Sequence, residues 1–267
     1  MKKGVLLIGA VVLGTIALTW LVWHQTWFGT RLSDDDLIAA MAPGSSARDA
    51  QHGVEEITHR LGRPGADRWA KLLVETSRRA EDPVRVSAAW AMQYDAGREE
   101  FVARLREMVG GDASELVRRN AATSLALAGD ASARPVLRSM LEAFTVRSAD
   151  AGVVSDLVAV EAPVRDGAPV ARVRRDDGAA ADVRAPVPGG VLSRAVENGA
   201  RVAAGDPLVV LGPDGRHALN AAAALALVGT GEDAELLSLA AAPQSQFGED
   251  VKAASRQALA AIRSRAR

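Results

Sequence analysis

The sequence predicts a mainly α-helical protein in which stacked helix pairs form an α-solenoid, with an N-terminal transmembrane helix and an inserted all-β module. Three observations lead to this fold class. An uncharged apolar run follows the N-terminus, helical segments recur about every 33 residues, and one stretch changes to short valine-rich runs bounded by Gly, Pro and Asp. We therefore predict an anchor over 1–30, helical repeats over 31–145 and 216–267, and a β-domain over 146–215.

The composition is typical of a folded protein and excludes several functions. Of the 267 residues, 48% are hydrophobic and 24% are charged, with a net charge of −1. Because acidic and basic residues are interspersed, the sequence lacks the basic footprint of a nucleic-acid-binding protein. Cysteine is absent, which excludes disulfides, thiolate metal sites, cysteine nucleophiles and covalently attached c-type haem.

The N-terminal segment is predicted to be an uncleaved membrane anchor. Lys2 and Lys3 precede an uncharged stretch over 4–23, which is long enough to cross a bilayer core of roughly 30 Å as a helix. The alternative is a cleavable signal peptide, whose apolar region is shorter and ends at a site of small residues. Here the run ends in the aromatic cluster Trp20–Phe28, a composition typical of a membrane–water interface.

The charges that flank this stretch predict its orientation. Two lysines precede it and Ser33–Asp36 follows it, so the positive-inside rule places the N-terminus in the cytoplasm. The rest of the chain is then extracytoplasmic, and the protein is predicted to be a single-pass protein of the bacterial inner membrane. Ser33 is predicted to be a helix N-cap followed by carboxylates in the first turn, in preference to a metal site.

A helical unit repeats beyond residue 45. Asp82–Met92 recurs as Glu115–Leu125 after 33 residues, and Ala224-Leu225 recurs as Ala258-Leu259 after 34. A second helix accompanies each unit, and a weaker unit comes earlier. These additional helices are predicted over 48–61, 67–79, 98–109, 133–144 and 232–241.

The repeat resembles the short HEAT-like repeats of bacterial proteins, such as those of phycobilin lyases, in which a D-x-x-V-R-x-x-A-A-x-x-L helix pairs with a second helix. Ankyrin and tetratricopeptide repeats have a similar length, but their Thr-Pro-Leu-His and Trp/Tyr/Pro signatures are missing. The resemblance implies a solenoid in which paired alanines let neighbouring helices approach closely. Val, Leu and Met are then core residues between the repeats.

One offset locates an insertion in the solenoid. Asn120-Ala121-Ala122 returns as Asn220-Ala221-Ala222 after 100 residues. Subtracting one repeat leaves about 67 residues that lie between Phe144 and Arg216.

The inserted segment repeats itself with a shift of 38 residues. Val164–Val170 matches Val202–Leu208, and Gly152–Ser155 matches Gly190–Ser193. The repeated glycines, Gly167 and Gly205, are predicted to adopt positive φ in tight turns. The prolines two residues later, Pro169 and Pro207, are predicted to begin strands, where no amide donor is needed.

These two halves resemble the barrel-sandwich hybrid of biotinyl and lipoyl carrier domains and of periplasmic membrane-fusion proteins. The second half, Val183–Leu211, carries the pattern best. The first half departs from it, with Ser148-Ala149 in place of Ala-Pro and Glu161 opposite Gly199.

The resemblance also defines what the module lacks. Carrier domains hold biotin or lipoate on a lysine at the tip of the hairpin that joins the halves, where this chain has Arg174–Gly178. No lysine occurs between Lys71 and Lys252, so the sequence predicts no covalent biotin or lipoate. Membrane-fusion adaptors usually carry a long helical hairpin at this position, and about five residues occupy it here, which argues against a tunnel-forming adaptor.

The sequence predicts no catalytic, cofactor-binding or metal-binding residues. His52 and His59 could share a helix face beside Glu55 and Glu56, but no third ligand is suitably spaced, so a helix-surface role is favoured. His217 is interpreted as a structural residue at a helix start. No nucleophile motif, phosphate loop or dinucleotide fingerprint is present.

Two further features receive structural interpretations. Gly229-Thr230-Gly231 follows no strand, so it is predicted to be a turn between helices. The arginine pairs at 118–119 and 174–175 could contact an acidic partner, but solvated surface charge is favoured for both.

The sequence therefore predicts a non-catalytic scaffold or accessory subunit without cofactors. Its expected partners are proteins, in particular an integral-membrane complex of the bacterial envelope, because stacked helix pairs present a concave binding surface. One alternative is a periplasmic adaptor of a transporter, whose β-module would assemble into a ring. A second is a lyase-like or ligand-binding repeat protein, against which the missing cysteines and scarce aromatic residues argue.

Overall fold

The computed structural model describes residues 31–267, which contain ten α-helices and eight β-strands. The helices before the strands are α1 (Asp34–Met41), α2 (Ala47–Thr58), α3 (Ala66–Thr76), α4 (Asp82–Ala91), α5 (Glu99–Gly111), α6 (Glu115–Leu127) and α7 (Arg134–Ser139). Those after the strands are α8 (Gly215–Val228), α9 (Ala234–Ala241) and α10 (Glu249–Arg265). Short 3₁₀ turns occupy Met92–Asp95, Ala131–Ala133 and Gly231–Asp233.

The strands form two four-stranded antiparallel sheets between α7 and α8. They are β1 (Phe144–Arg147), β2 (Gly152–Ser155), β3 (Pro163–Val164), β4 (Pro169–Arg174), β5 (Ala180–Arg184), β6 (Gly189–Arg194), β7 (Arg201–Val202) and β8 (Pro207–Leu211). The strand orders are β1-β8-β6-β3 and β5-β4-β2-β7.

Within residues 31–267, none of the helices combines the length and the apolar character that crossing a bilayer requires. The predicted transmembrane anchor, residues 1–30, lies outside the described part of the chain.

The helices form two layers. Helices α2, α4, α6, α8 and α10 pack side by side in one layer, and α3, α5, α7 and α9 pack behind it. The first helix begins as predicted, since Ser33 Oγ accepts a hydrogen bond from the amide of Asp36 at 3.1 Å and three aspartates fill the first turn. The alanine pairs of α4, α6 and α8 are fully buried, which confirms them as core: Ala88, Ala89, Ala121, Ala122, Ala221 and Ala222.

The solenoid continues across the insertion. Helix α6 packs directly against α8, and one hydrophobic core includes residues on both sides of the strands. A polar contact reinforces this junction, because Asp233, which is fully buried, accepts hydrogen bonds from Arg134 Nε at 3.0 Å and Arg138 Nη1 at 2.8 Å. Burial would raise the pKa of Asp233, but bonds from the Thr230 amide and both arginines outweigh burial and lower that pKa.

One helix is shorter than predicted. The helix expected over 133–144 ends at Ser139, and Phe144 already belongs to strand β1. The apolar residues Met140 and Leu141 are compatible with a continuing helix in the sequence. In the structure they form the turn that leads into the sheet, and both remain in the helical core.

The two sheets are related by the internal repeat of the β-module. The 38-residue shift equates β1–β4 with β5–β8, and exchanging the two sets of strands converts the first sheet order into the second. Each sheet therefore combines strands from both halves. Gly167 and Gly205 have φ angles of 70° and 89°, which confirms the two predicted turns.

The β-module has a hydrophobic core of its own, formed mainly by valines. The chain enters it through β1 and leaves through β8, which are paired so that Phe144 lies opposite Leu211. Because the strands at which the chain enters and leaves the module are neighbours, the module can be inserted without separating α6 from α8.

Candidate protein interaction surface

Helices α2, α4 and α6 expose a groove on their outer side. It consists of two depressions with volumes of about 410 and 430 Å³. Gln51 and Val86 line both depressions, so they form one continuous surface. The first is also lined by Val54, Glu55, Ser87, Trp90 and Asn120, and the second by Asp82, Pro83, Ala113, Ser114, Glu115, Leu116, Asp166, Gly167, Ala185 and Pro186.

Two amide side chains in the groove are held by hydrogen bonds, one between helices and one within a helix. Gln51 Nε2 donates to Ser87 Oγ at 3.1 Å and to the Pro83 carbonyl at 3.3 Å, which links α2 to α4. Asn120 Nδ2 donates to the Leu116 carbonyl at 2.9 Å. These amides are therefore oriented before any partner binds, which reduces the entropy lost on binding.

An exposed aromatic pair lies at one end of the groove. Trp90 is 43% exposed and packs edge-on against Tyr94, with ring centroids 5.0 Å apart and an interplanar angle of 74°. The equivalent positions of the next two repeats hold Thr123 and Ala223. A large aromatic ring at a position that other repeats fill with small residues is typical of an interaction surface, where Trp is enriched among the residues that dominate binding.

The β-module closes the other end of the groove. Its contribution comes from the turn at Asp166 and Gly167 and from the adjoining Ala185 and Pro186. The turn is fixed to the end of strand β5, because the Gly167 amide donates to the Ala185 carbonyl at 2.8 Å and Arg184 Nη1 donates to the Gly167 carbonyl at 2.8 Å. Solenoid and β-module thus shape one surface together.

The arginine pair of α6 corrects the sequence interpretation in part. Arg119 is buried, whereas solvated surface charge was expected. Its Nε donates to Glu115 at 3.3 Å, and its guanidinium lies 5.8 Å from the ring of Phe144 in β1. Burial lowers the pKa of Arg119, and Glu115 opposes that shift. Arg118 is partly exposed and bonds Glu115 and the Asp112 carbonyl, so it stabilises the start of α6, whereas Arg119 contacts the first strand of the sheet.

His217 lies in the first turn of α8, as the sequence predicts. Asp214 is the N-cap and accepts hydrogen bonds from the amides of Arg216 and His217, both at 3.0 Å. The His217 Nδ1 atom is buried without a hydrogen-bond partner, and burial, followed by the nearby Arg119, lowers the pKa of the imidazole.

The residues considered for metal binding differ in position, burial and pairing. His52 lies within α2 and His59 follows its last turn. Glu56 is buried and paired with Arg60 at 3.5 Å, whereas Glu55 is exposed in the groove. Across residues 31–267, the structure shows no group of three His, Cys, Asp or Glu side chains that could hold a metal ion.

The remaining motifs are loops. Arg174–Gly178 lies at the hairpin between β4 and β5, where Arg175 pairs with Asp150 at 3.4 Å. Gly229-Thr230-Gly231 joins α8 to α9, and Thr230 forms a capping box with Asp233, which confirms the predicted turn between helices.

The groove was not predicted from the sequence. The signal was present in the repeat alignment, because Ser87, Asn120 and Asn220 are polar at equivalent positions and Trp90 departs from Thr123 and Ala223. These differences mark the face of each helix that points away from the core.

Comparison with known proteins supports the repeat assignment. A family model described as HEAT repeats matches residues 69–151, which extend from within α3 to just beyond strand β1. No curated protein matches the sequence significantly. The match and the paired helices together support HEAT-like helical repeats in this part of the chain, and a separate β region follows them.

Proposed function

We propose that this protein is a non-catalytic scaffold or accessory subunit that binds a protein partner in a bacterial membrane complex. The observation that carries the proposal is the groove over α2, α4 and α6, with its exposed Trp90 and pre-oriented amides. HEAT repeats generally mediate protein–protein interactions through such surfaces.

We further propose that the β region is a barrel-sandwich hybrid of the biotinyl and lipoyl type that has become a contact element. Supporting this are the two sheets that exchange under the 38-residue shift and the tight hairpin between β4 and β5. The chain between Lys71 and Lys252 contains no lysine to carry either group.

The proposed location is the extracytoplasmic face of the inner membrane, with residues 1–30 as the anchor. The support is the sequence of that segment and its flanking charges. The absence of cysteine makes a direct test possible: a single Glu235→Cys substitution on exposed α9 introduces one reactive thiol. Labelling of intact spheroplasts by a membrane-impermeant maleimide is expected, and labelling only after lysis would place the repeats in the cytoplasm.

The scaffold proposal is tested by mild detergent extraction, affinity isolation and mass spectrometry of the associated proteins. Stoichiometric recovery of integral-membrane subunits is expected. Trp90→Ala should reduce that recovery at least tenfold, because truncating an interface Trp commonly costs about 2 kcal/mol or more. Leu239→Ala, on α9 outside the groove and 64% exposed, is the matched control and should leave recovery unchanged. Recovery of the protein alone, even after cross-linking, contradicts the proposal.

A further inference from the structure

We infer that the groove binds an extended basic segment of its partner, in which Arg or Lys side chains alternate with apolar ones. This inference rests on the proposed function, since it specifies the chemistry of the partner at the surface assigned above.

The charges that line the groove are all of one sign. Its four ionisable side chains are carboxylates: Glu55, Asp82, Glu115 and Asp166. Among the described residues no Arg, Lys or His lines either depression. The whole chain is almost neutral, with 32 Lys and Arg against 33 Asp and Glu, so the groove concentrates negative charge that the sequence as a whole balances.

Two of these carboxylates have arginine partners and two do not. Asp82 pairs with Arg85 at 2.8 Å, and Glu115 bonds the arginines of α6. Glu55 and Asp166 are exposed and form no hydrogen bond or ion pair through their side chains with residues 31–267.

His217 does not neutralise Asp166. The carboxylate is close enough to favour the charged imidazole, but burial dominates and lowers the pKa of His217. Asp166 in one depression and Glu55 in the other are therefore available to cations of a partner.

The uncharged part of the groove suits a polypeptide. Val54, Val86 and Leu116 form its floor beside the prolines Pro83 and Pro186. The ring of Trp90 offers a face on which a guanidinium can stack. Helix axes pack 8–10 Å apart, so three helices span about 20 Å, the length of about six extended residues. Alternating apolar and basic side chains would then contact the floor and the carboxylates in turn.

The probe is a fluorescent octapeptide of alternating Arg and Leu, and the comparison peptide replaces each Arg by Glu. Binding is measured by anisotropy to the full chain in nanodiscs of uncharged lipid. The Arg peptide is expected to bind at least tenfold more tightly and to weaken as salt rises from about 0.05 to about 0.5 M. The Glu55→Gln/Asp166→Asn double variant should lose about tenfold in affinity.

The control is the Glu75→Gln/Glu235→Gln double variant, which removes two exposed carboxylates outside the groove and should bind like the unaltered protein. Neither double variant removes an ion pair formed within residues 31–267, so both should remain folded. Equal affinity for the two peptides, no binding of the Arg peptide, or an unchanged affinity of the groove variant would each overturn the inference.

The isolation experiment separates this inference from the proposed function. If membrane subunits co-purify equally with the Glu55→Gln/Asp166→Asn variant, the partner does not use these charges, and the inference fails while the scaffold proposal stands. If nothing co-purifies with the unaltered protein, the scaffold proposal itself fails.

Discussion

Glu161 and Gly199 occupy equivalent positions in the two halves of the β-module, and both have positive φ, at 68° and 91°. The first half has thus retained the left-handed backbone but not the glycine that suits it. An L-residue in this conformation costs about 1–2 kcal/mol, and a glycine costs about 0.4–1 kcal/mol through the greater freedom of the unfolded chain. Glu161→Gly should therefore stabilise the module by about 0.5–1 kcal/mol.

The substitution removes no other interaction. The Glu161 side chain is exposed and forms no hydrogen bond with the described residues, and its amide still donates to the Val191 carbonyl at 2.8 Å. Gly199→Ala is the matched opposite. A Cβ at Gly199 would meet nothing within 4 Å, so its cost is purely conformational, and the module should be destabilised by a similar amount.

Native-state hydrogen exchange measures both effects within the β-module. The amides of strand β4, Pro169–Arg174, should exchange about two to five times more slowly in Glu161→Gly and correspondingly faster in Gly199→Ala, since about 1.4 kcal/mol is a tenfold change. Amides of α4 should be unaffected because the two cores are separate. Equal or faster exchange of β4 in Glu161→Gly would refute the assignment of strain to this residue.

Three further predictions concern the solenoid. Asp233→Asn should lower the free energy of unfolding by about 2 kcal/mol in urea near neutral pH. Because the pKa of Asp233 is lowered in the folded protein, this loss of stability should shrink as the pH falls below 3.8, the ordinary pKa of an aspartate. A loss that does not change with pH would contradict the ion pairing. Arg85→Ala should cost about 2 kcal/mol in the same assay, because Arg85 bonds the nearly buried carboxylate of Asp112 at 2.9 and 3.0 Å and the substitution leaves that carboxylate without its arginine. Arg172→Ala removes an exposed ion pair and should cost less than about 1 kcal/mol. Equal losses in the two variants would argue against a stabilising role of the Arg85–Asp112 pair. Replacing residues 144–211 by a short Gly/Ser linker should leave the helical circular dichroism signal and the cooperativity of unfolding unchanged, because α6 packs directly on α8. A loss of cooperativity would show that the solenoid needs the module to fold.

The repeat was predictable because its signal is local and recurs. Burial of the alanine pairs follows from a helical period and a 33-residue shift, and the turns at Gly167 and Gly205 follow from a 38-residue shift. Both inferences compare the chain with itself and need no knowledge of distant contacts.

What the sequence did not predict depends on contacts between distant segments. Arg118 and Arg119 are identical side chains in one helix, but Arg119 is the buried one and lies near Phe144 of the β-module, a distant contact that the helical pattern does not show. The groove likewise requires that turn 166–167 of the module lie opposite α4 and α6, about 50 to 80 residues away in the chain. The predicted length of α7 was too great for the same reason. An apolar residue such as Phe144 fits the buried side of a helix or of a strand, and it belongs to a strand here because it pairs with Leu211.

The position of the insertion connects the fold to the proposed function. A β-module with its own core and adjacent connections could join a solenoid at many loops without disturbing the stacking of its helices. At this loop it places Asp166 and Pro186 against the groove, so the module closes a surface that a plain solenoid would leave open. The buried Arg119 and the contacts between α7 and Asp233 fix the helices on either side of the insertion. A module that lines one end of the groove is the arrangement expected if both parts contact one partner, because their combined surface then contributes to the affinity.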